Sequence, residues 1–221
     1  PSPAYIISTN APHKSKSAKF GSLRVDLNQT VETLWSKVHS KHRNSIRMAE
    51  KMDCKFVVDN TRLNEAIKII NETHTRANIS LVNEKLFLDN SLFKVILVLK
   101  AGIIQSVGVF TYSNEGAYYI YGSNSKEHEK GSMNFLHWNT MLYFKEIKVQ
   151  NYDFVGVRLG DTILAKHINL RRFKQRFGGE TKVGFLWKIN LSIKYIFLNY
   201  LRKLFIKDSF DIIDSINKKG K

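Results

Sequence analysis

Two hydrophobic periods alternate along the chain. Val31, Leu34, Trp35, Val38, His42, Ile46 and Ala49 recur at three- and four-residue spacing, which predicts one long amphipathic helix. Asn28 or Thr30 is placed to cap it, and Glu32 lies in its first turn, where a carboxylate complements the helix dipole. Lys55 to Val58 reads as a short strand. Thr61 to Thr75 reads as a second helix with Leu63, Ala66, Ile67, Ile70 and His74 on one face, and Leu81 to Phe93 as a third. The pattern then changes. Lys94 to Leu99, Ile103 to Tyr112 and Ala117 to Gly122 are apolar runs separated by the turn signals Lys100-Ala101-Gly102 and Asn114-Glu115-Gly116, which predicts an antiparallel meander. Ser132 to Ile147 returns to a helical pattern, and Tyr152 to Val157 to a strand. A helix from about Ile168 to Arg176 is stopped by Gly178-Gly179. Lys182 to Leu191 reads as a last strand and Lys194 to Ile206 as a basic amphipathic helix. At the other end, Leu23 to Leu27 alternates briefly, and residues 1–23 read as a basic loop or extended leading segment.

This order predicts an α/β fold: a mixed sheet with a central antiparallel meander and helices on both faces. The expected organisation is a basic segment over 1–23, one domain over 24–191, and a basic amphipathic helix and tail over 192–221. The first residues are Pro1-Ser2-Pro3 rather than Met, so a segment upstream is expected.

Composition narrows the chemistry. Of 221 residues 43% are hydrophobic, which is enough for a packed core and argues against wholesale disorder. The single cysteine, Cys54, excludes an internal disulfide and suits a buried inert thiol in a reducing compartment. His39 and His42 lack the spacing of a zinc motif, and no nucleotide-binding glycine loop or serine-hydrolase elbow occurs. The longest apolar runs are broken by Lys100, Gln105, Lys188 and Lys194, so none reads as a membrane span. The net charge of +16 favours polyanionic partners: RNA, anionic lipid, or nucleotide- and polyphosphate-linked substrates. At about 100° per residue, Lys37, Lys41, Arg47 and Lys51 fall within roughly a 120° arc of the first helix.

Five short motifs, in order, carry a resemblance. They are His42-Arg43-Asn44-Ser45-Ile46-Arg47-Met48-Ala49-Glu50-Lys51, Tyr118 to Ser123, His137-Trp138, Tyr152-Asp153-Phe154-Val155-Gly156, and Phe173-Lys174-Gln175-Arg176-Phe177-Gly178-Gly179. Together they resemble the Fem family of peptidoglycan-bridge aminoacyltransferases, within the GNAT acyltransferase superfamily. The resemblance implies a GNAT-like fold and amide formation on an amine of a cell-envelope precursor, a muropeptide or a surface-polysaccharide amino sugar. It implies aminoacyl-tRNA as donor, no bound cofactor, a lipid- or nucleotide-linked acceptor, and work in the cytoplasm, at the inner face of the plasma membrane. The family commonly carries two GNAT-like halves, and one is visible here. The acetyl-CoA loop of ordinary GNAT enzymes is replaced by Lys126-Glu127-His128-Glu129-Lys130-Gly131-Ser132-Met133, which ranks acyl-CoA below aminoacyl-tRNA.

By the same resemblance Phe173 and Lys174 face the catalytic cleft, and Lys174 would stabilise the tetrahedral oxyanion. Asp153 is the candidate to position or deprotonate the amine; the alternative is a strand-end carboxylate bonded to backbone or to an arginine such as Arg158. Arg43 and Arg47 suit pyrophosphate, with Lys37 and Lys41 adding attraction. Tyr119, Tyr121 and Trp138 are candidates to line the cleft, and equally candidates for core. Two other functions compete: a CoA- or acyl-carrier-dependent N-acyltransferase of the same fold, and a non-enzymatic module binding RNA or anionic membrane.

Overall fold

The computed structural model describes residues 4–8, 15–87, 93–159, 165–189 and 213. In chain order the strands are β1 Ala4–Ser8, β2 Lys16–Asp26, β3 Lys55–Val58, β4 Phe93–Lys100, β5 Ile103–Tyr112, β6 Ala117–Asn124, β7 Asn151–Asp153, β8 Val157–Arg158 and β9 Glu180–Ile189. The helices are α1 Val31–Lys37, α2 Ser40–Lys51, α3 Leu63–Arg76, α4 Ser132–Glu146 and α5 Ala165–Gln175. Two compact units form, one of Leu23–Val155 with Phe173–Glu180, the other of Pro1–Ser22, Gly156–Arg172 and Thr181–Lys221. Residues 24–191, expected as one domain, are divided between the two units.

In the larger unit the sheet runs β7-β6-β5-β4-β3, with Arg24, Val25 and Asp26 of β2 paired to β7. All these pairings are antiparallel except β6 with β7, so the sheet is mixed and the expected meander is its centre. Side chains alternate along a strand. On β4, Phe93, Val95 and Leu97 join Ala66 and Ile70 of α3 in one cluster. Helix α4 also packs on β4, β5 and β6, and α2 packs on α4. Val95 to Val98 are consequently buried without a break, as a strand covered on both faces must be. In the smaller unit β1 pairs antiparallel with β9, Phe20 and Gly21 of β2 pair with β8, and Ala18, Leu186 and Ile213 share a small core.

The differences from expectation have local causes. The predicted long first helix is two, α1 and α2, broken at Val38–His39. The break is held by the Arg43 guanidinium, which donates to Val38 O at 2.6 Å and Ser36 O at 3.1 Å, and by His39, whose side chain caps α2. Among the described residues of the predicted helix Leu81 to Phe93, Glu84–Phe87 form one 3₁₀ turn and Phe93 begins β4. Just before that turn the Asn71 side chain of α3 holds Val82 by both backbone groups, donating to Val82 O (3.1 Å) and accepting from Val82 N (2.8 Å). Residues 1–23, read as a loop or an extended segment, contain β1 and most of β2, so their described residues follow the extended alternative. The predicted strand Tyr152 to Val157 divides into β7 and β8 because Val155 and Gly156 take left-handed backbone, φ +46° and +54°. The expected basic helix Lys194 to Ile206 lies outside the described residues.

Replacing Asn71 with Ala strands both groups of Val82. We expect a loss of about 1–3 kcal/mol of stability and faster hydrogen exchange at the Val82 amide, read by denaturant titration and NMR.

Candidate active site

In the larger unit the end of α5 and the turn that follows it, from Phe173 to Gly178, enter a core built by α2, α4 and β7. The stripe that α2 buries is His42, Ile46 and Ala49. His42, 5% exposed, donates its Nε2–H to Phe173 O at 2.9 Å. Its ring lies 5.0 Å from Phe173 and 4.7 Å from Phe177. From α4, His137 is 1% exposed, with Nδ1 2.6 Å from the Tyr152 hydroxyl. Its ring meets Phe154 at 4.9 Å and Phe177 at 5.4 Å, and Tyr119 edge-on at 4.7 Å. Gly178 closes the segment at φ +81°, with Lys37 of α1 so close that an added Cβ would stand 2.6 Å from the Lys37 Cβ. Only glycine meets both demands.

This environment fixes protonation states. Burial pulls His42 down to about 4 and His137 to about 3, and the neighbouring Lys174 charge further depresses His137. Both imidazoles are therefore neutral at pH 7. Burial raises Tyr119 and Tyr152 well above the phenol range.

Lys174 brings charge into this core. It is 6% exposed, and its ammonium donates to Phe154 O at 2.8 Å and also to Val155 O. Burial lowers it to about 8 and the Asp153 carboxylate opposes the shift, so at pH 7 it is mainly the ammonium. Asp153, 3% exposed, accepts the Val155 amide at 2.7 Å and faces Arg24 Nε at 3.6 Å. The bonding to backbone and to an arginine matches the alternative weighed for Asp153, with Arg24 in place of Arg158. A fixed ammonium in a site of low polarisability is suited to stabilising charge that develops on a substrate oxygen.

The structure brings Lys174, Phe173, Asp153 and Tyr119 into this one neighbourhood and separates the others. Tyr121 is on the opposite sheet face, against His74 and Phe87. The β5–β6 register shifts between Val109 and Phe110, so Ile120 is extra, and two tyrosines that strict alternation would align point apart. Arg43 is engaged with α1 carbonyls. The Lys37 ammonium bonds Gln29 at 2.5 Å. Lys41 is exposed on α2. Arg47 and Trp138 do meet, at an open groove also lined by Glu32, Trp35 and Glu50; Trp35 lies 4.7 Å from Trp138, and Arg47 is 5.5 Å above Trp35. Sequence reasoning gave no site role to His42, His137, Tyr152 or Arg24, although the first three stood within its motifs. His42 already stood among the apolar periodic positions of its helix, which was the available sign that it is buried. Among the described residues no three His, Cys, Asp or Glu side chains cluster to hold a metal ion, and no helix is long and apolar enough to cross a membrane.

The depressed histidines predict acid sensitivity. The unfolded chain takes up protons below about 6.5, whereas the folded one resists until about 4 at His42. Stability contributed by the neutral imidazole is complete above about pH 6.5 and is lost as pH falls towards 4. Urea midpoints measured across this range should fall steadily. His42→Gln, which keeps a donor for Phe173 O, should flatten the slope.

No protein-family model matches the chain. No curated protein matches it either. Solved structures do. FemX superposes with TM-score 0.65 at 14% identity, covering 83% of this chain and 63% of FemX. The lysylphosphatidylglycerol synthetase of Bacillus licheniformis gives TM-score 0.61 at 18% identity, covering 84% and 65%. The C-terminal domain of a putative lysylphosphatidylglycerol synthetase from Agrobacterium fabrum gives 0.60 at 18%, covering 79% and 61%. The chain thus spans less than two thirds of the length of each of these chains. At such identities the likeness establishes the fold alone: the chain shares the mixed-sheet fold of FemX and the lysylphosphatidylglycerol synthetases.

Proposed function

We propose that the chain is an acyltransferase that moves an aminoacyl group from aminoacyl-tRNA to an amine of a cell-envelope precursor. The observation that carries this reading is the Lys174 ammonium, fixed on two carbonyls beside Asp153, within a fold like that of FemX. Transfer requires an amine to attack an activated ester and the resulting oxyanion to be stabilised. One preorganised donor supplies about 3 kcal/mol of that stabilisation. Lys174 in its charged form is the candidate donor, and Phe173 would border the reacting groups. The resemblance to a lysylphosphatidylglycerol synthetase keeps a lipid-linked acceptor, met at an anionic membrane surface, within the proposal.

The start of α4 supports a donor other than acyl-CoA. A pyrophosphate bound at a helix start needs the first-turn amides open. Here α2 lies on that turn. Gly131 has φ +90°, and an added Cβ would stand 2.2 Å from the Ser45 carbonyl oxygen. Ser132 is fully buried, its hydroxyl 2.7 Å from that of Ser106.

Two kinetic results test the role of Lys174 with an aminoacyl-tRNA donor. Lys174→Ala should lower turnover at least about tenfold with the circular dichroism spectrum unchanged; undiminished turnover refutes the role. Because the charged form is the active one, kcat/KM should fall as pH rises through about 8. A climb through that range that is lost in Lys174→Ala would mean that Lys174 acts as a base; a climb that persists in the variant reports the acceptor amine, which attacks unprotonated.

A further inference from the structure

Val155 is the outlier that prompts the question. A β-branched residue with φ +46° is rare, and such strain persists where surrounding contacts enforce it, often at functional sites. Its consequence is geometric. In extended chain, successive carbonyls point to opposite sides. In a helical conformation of either hand, they point the same way. A left-handed Val155 therefore turns Phe154 O and Val155 O to one side, and the Lys174 ammonium donates to both. The turn is anchored at each step. Asp153 accepts the Val155 amide at 2.7 Å through one oxygen, with Arg24 3.6 Å from the other, and the Phe154 amide donates to Leu23 O at 2.9 Å.

We propose that Asp153–Val155 is a built seat for the Lys174 ammonium: Asp153 is the positioning residue that holds Val155 left-handed, so that two consecutive carbonyls converge on the lysine and fix where its charge is presented to the reacting ester. The inference rests on the acyl-transfer reading for the use of that charge, but the seat itself is a property of the folded chain. It moves Asp153 from the role of base to that of support. A carboxylate whose oxygens face the Val155 amide and Arg24 is already committed to the turn. The charged and titratable groups around the ammonium are Asp153 on β7, with Arg24 on β2 behind it, His137 on α4 and, beyond it, His42 on α2. Both histidines are neutral, so the Asp153 carboxylate is the counter-charge that keeps Lys174 protonated.

The test uses the intact protein without donor or acceptor, so the seat and the acyl-transfer reading can fail separately. Trace acetic anhydride labelling across pH, read by peptide mass spectrometry, gives the titration midpoint of Lys174. Asp153→Asn retains an oxygen for the Val155 amide and removes only the charge. It should lower the midpoint by about one unit or more. Lys174→Met should accelerate hydrogen exchange at the Val155 amide. Val155→Gly should leave the Lys174 midpoint in place and should not lower the melting temperature, although valine-to-glycine changes elsewhere do. An unchanged midpoint in Asp153→Asn, unaltered Val155 exchange in Lys174→Met, or a destabilised Val155→Gly would each overturn the seat.

Discussion

Lys174 carries a positive charge into a core of aromatic rings and neutral imidazoles. Such a charge is costly unless it is paired and hydrogen-bonded. Here two carbonyls of one turn and a nearby carboxylate receive it. Much of the surrounding architecture serves that arrangement. Strand β7 must end at Asp153 so that the chain can turn. The first residues of the larger unit must lie beside β7 to bind Phe154. The segment from Phe173 must enter the core at the right depth, which the His42 bond to Phe173 O and the burial of Phe177 set together.

The two histidines contribute by staying neutral. His42 spends a proton on the carbonyl of Phe173, next to the lysine in sequence, and His137 meets the hydroxyl of Tyr152, next to Asp153. Each thereby steadies a neighbour of Lys174 or Asp153 without adding a competing charge. Helix α4 has a double duty. Its middle supplies His137, while its buried first turn is packed beneath α2. In this chain the start of α4 is buried against α2, and the charge proposed to act is brought from α5.

Sequence reasoning recovered what periodicity encodes and missed what depends on single contacts. Strand β3 was read with its observed limits, and the meander within two residues at each end, because long apolar runs between turn signals have few alternatives. The beginning of β2 was missed because Lys16-Ser17-Ala18-Lys19 shows no apolar alternation. The interruption between α1 and α2 carries no Pro or Gly; it depends on Arg43 folding back on α1 and on His39 N donating to Arg176 O, across most of the sequence. At the site, Lys174 and Asp153 were legible as motif members, but not the turn that joins them. Arg43 was read as a phosphate ligand because a guanidinium suits phosphate as well as it suits the carbonyls it meets here. The separation of Tyr119 from Tyr121 follows from a one-residue bulge that strand periodicity cannot reveal.

The central claim is that this fold transfers an aminoacyl group, using the seated ammonium of Lys174. Its most direct measurement is the mass of candidate acceptors after incubation with the protein and competing donors. Charged tRNA and acetyl-CoA would be offered in parallel to muropeptide and amino-sugar acceptors. The account predicts that one acceptor gains the mass of an aminoacyl residue, from charged tRNA alone. Transfer of acetyl from acetyl-CoA, or tRNA binding with no acceptor modified, would contradict it.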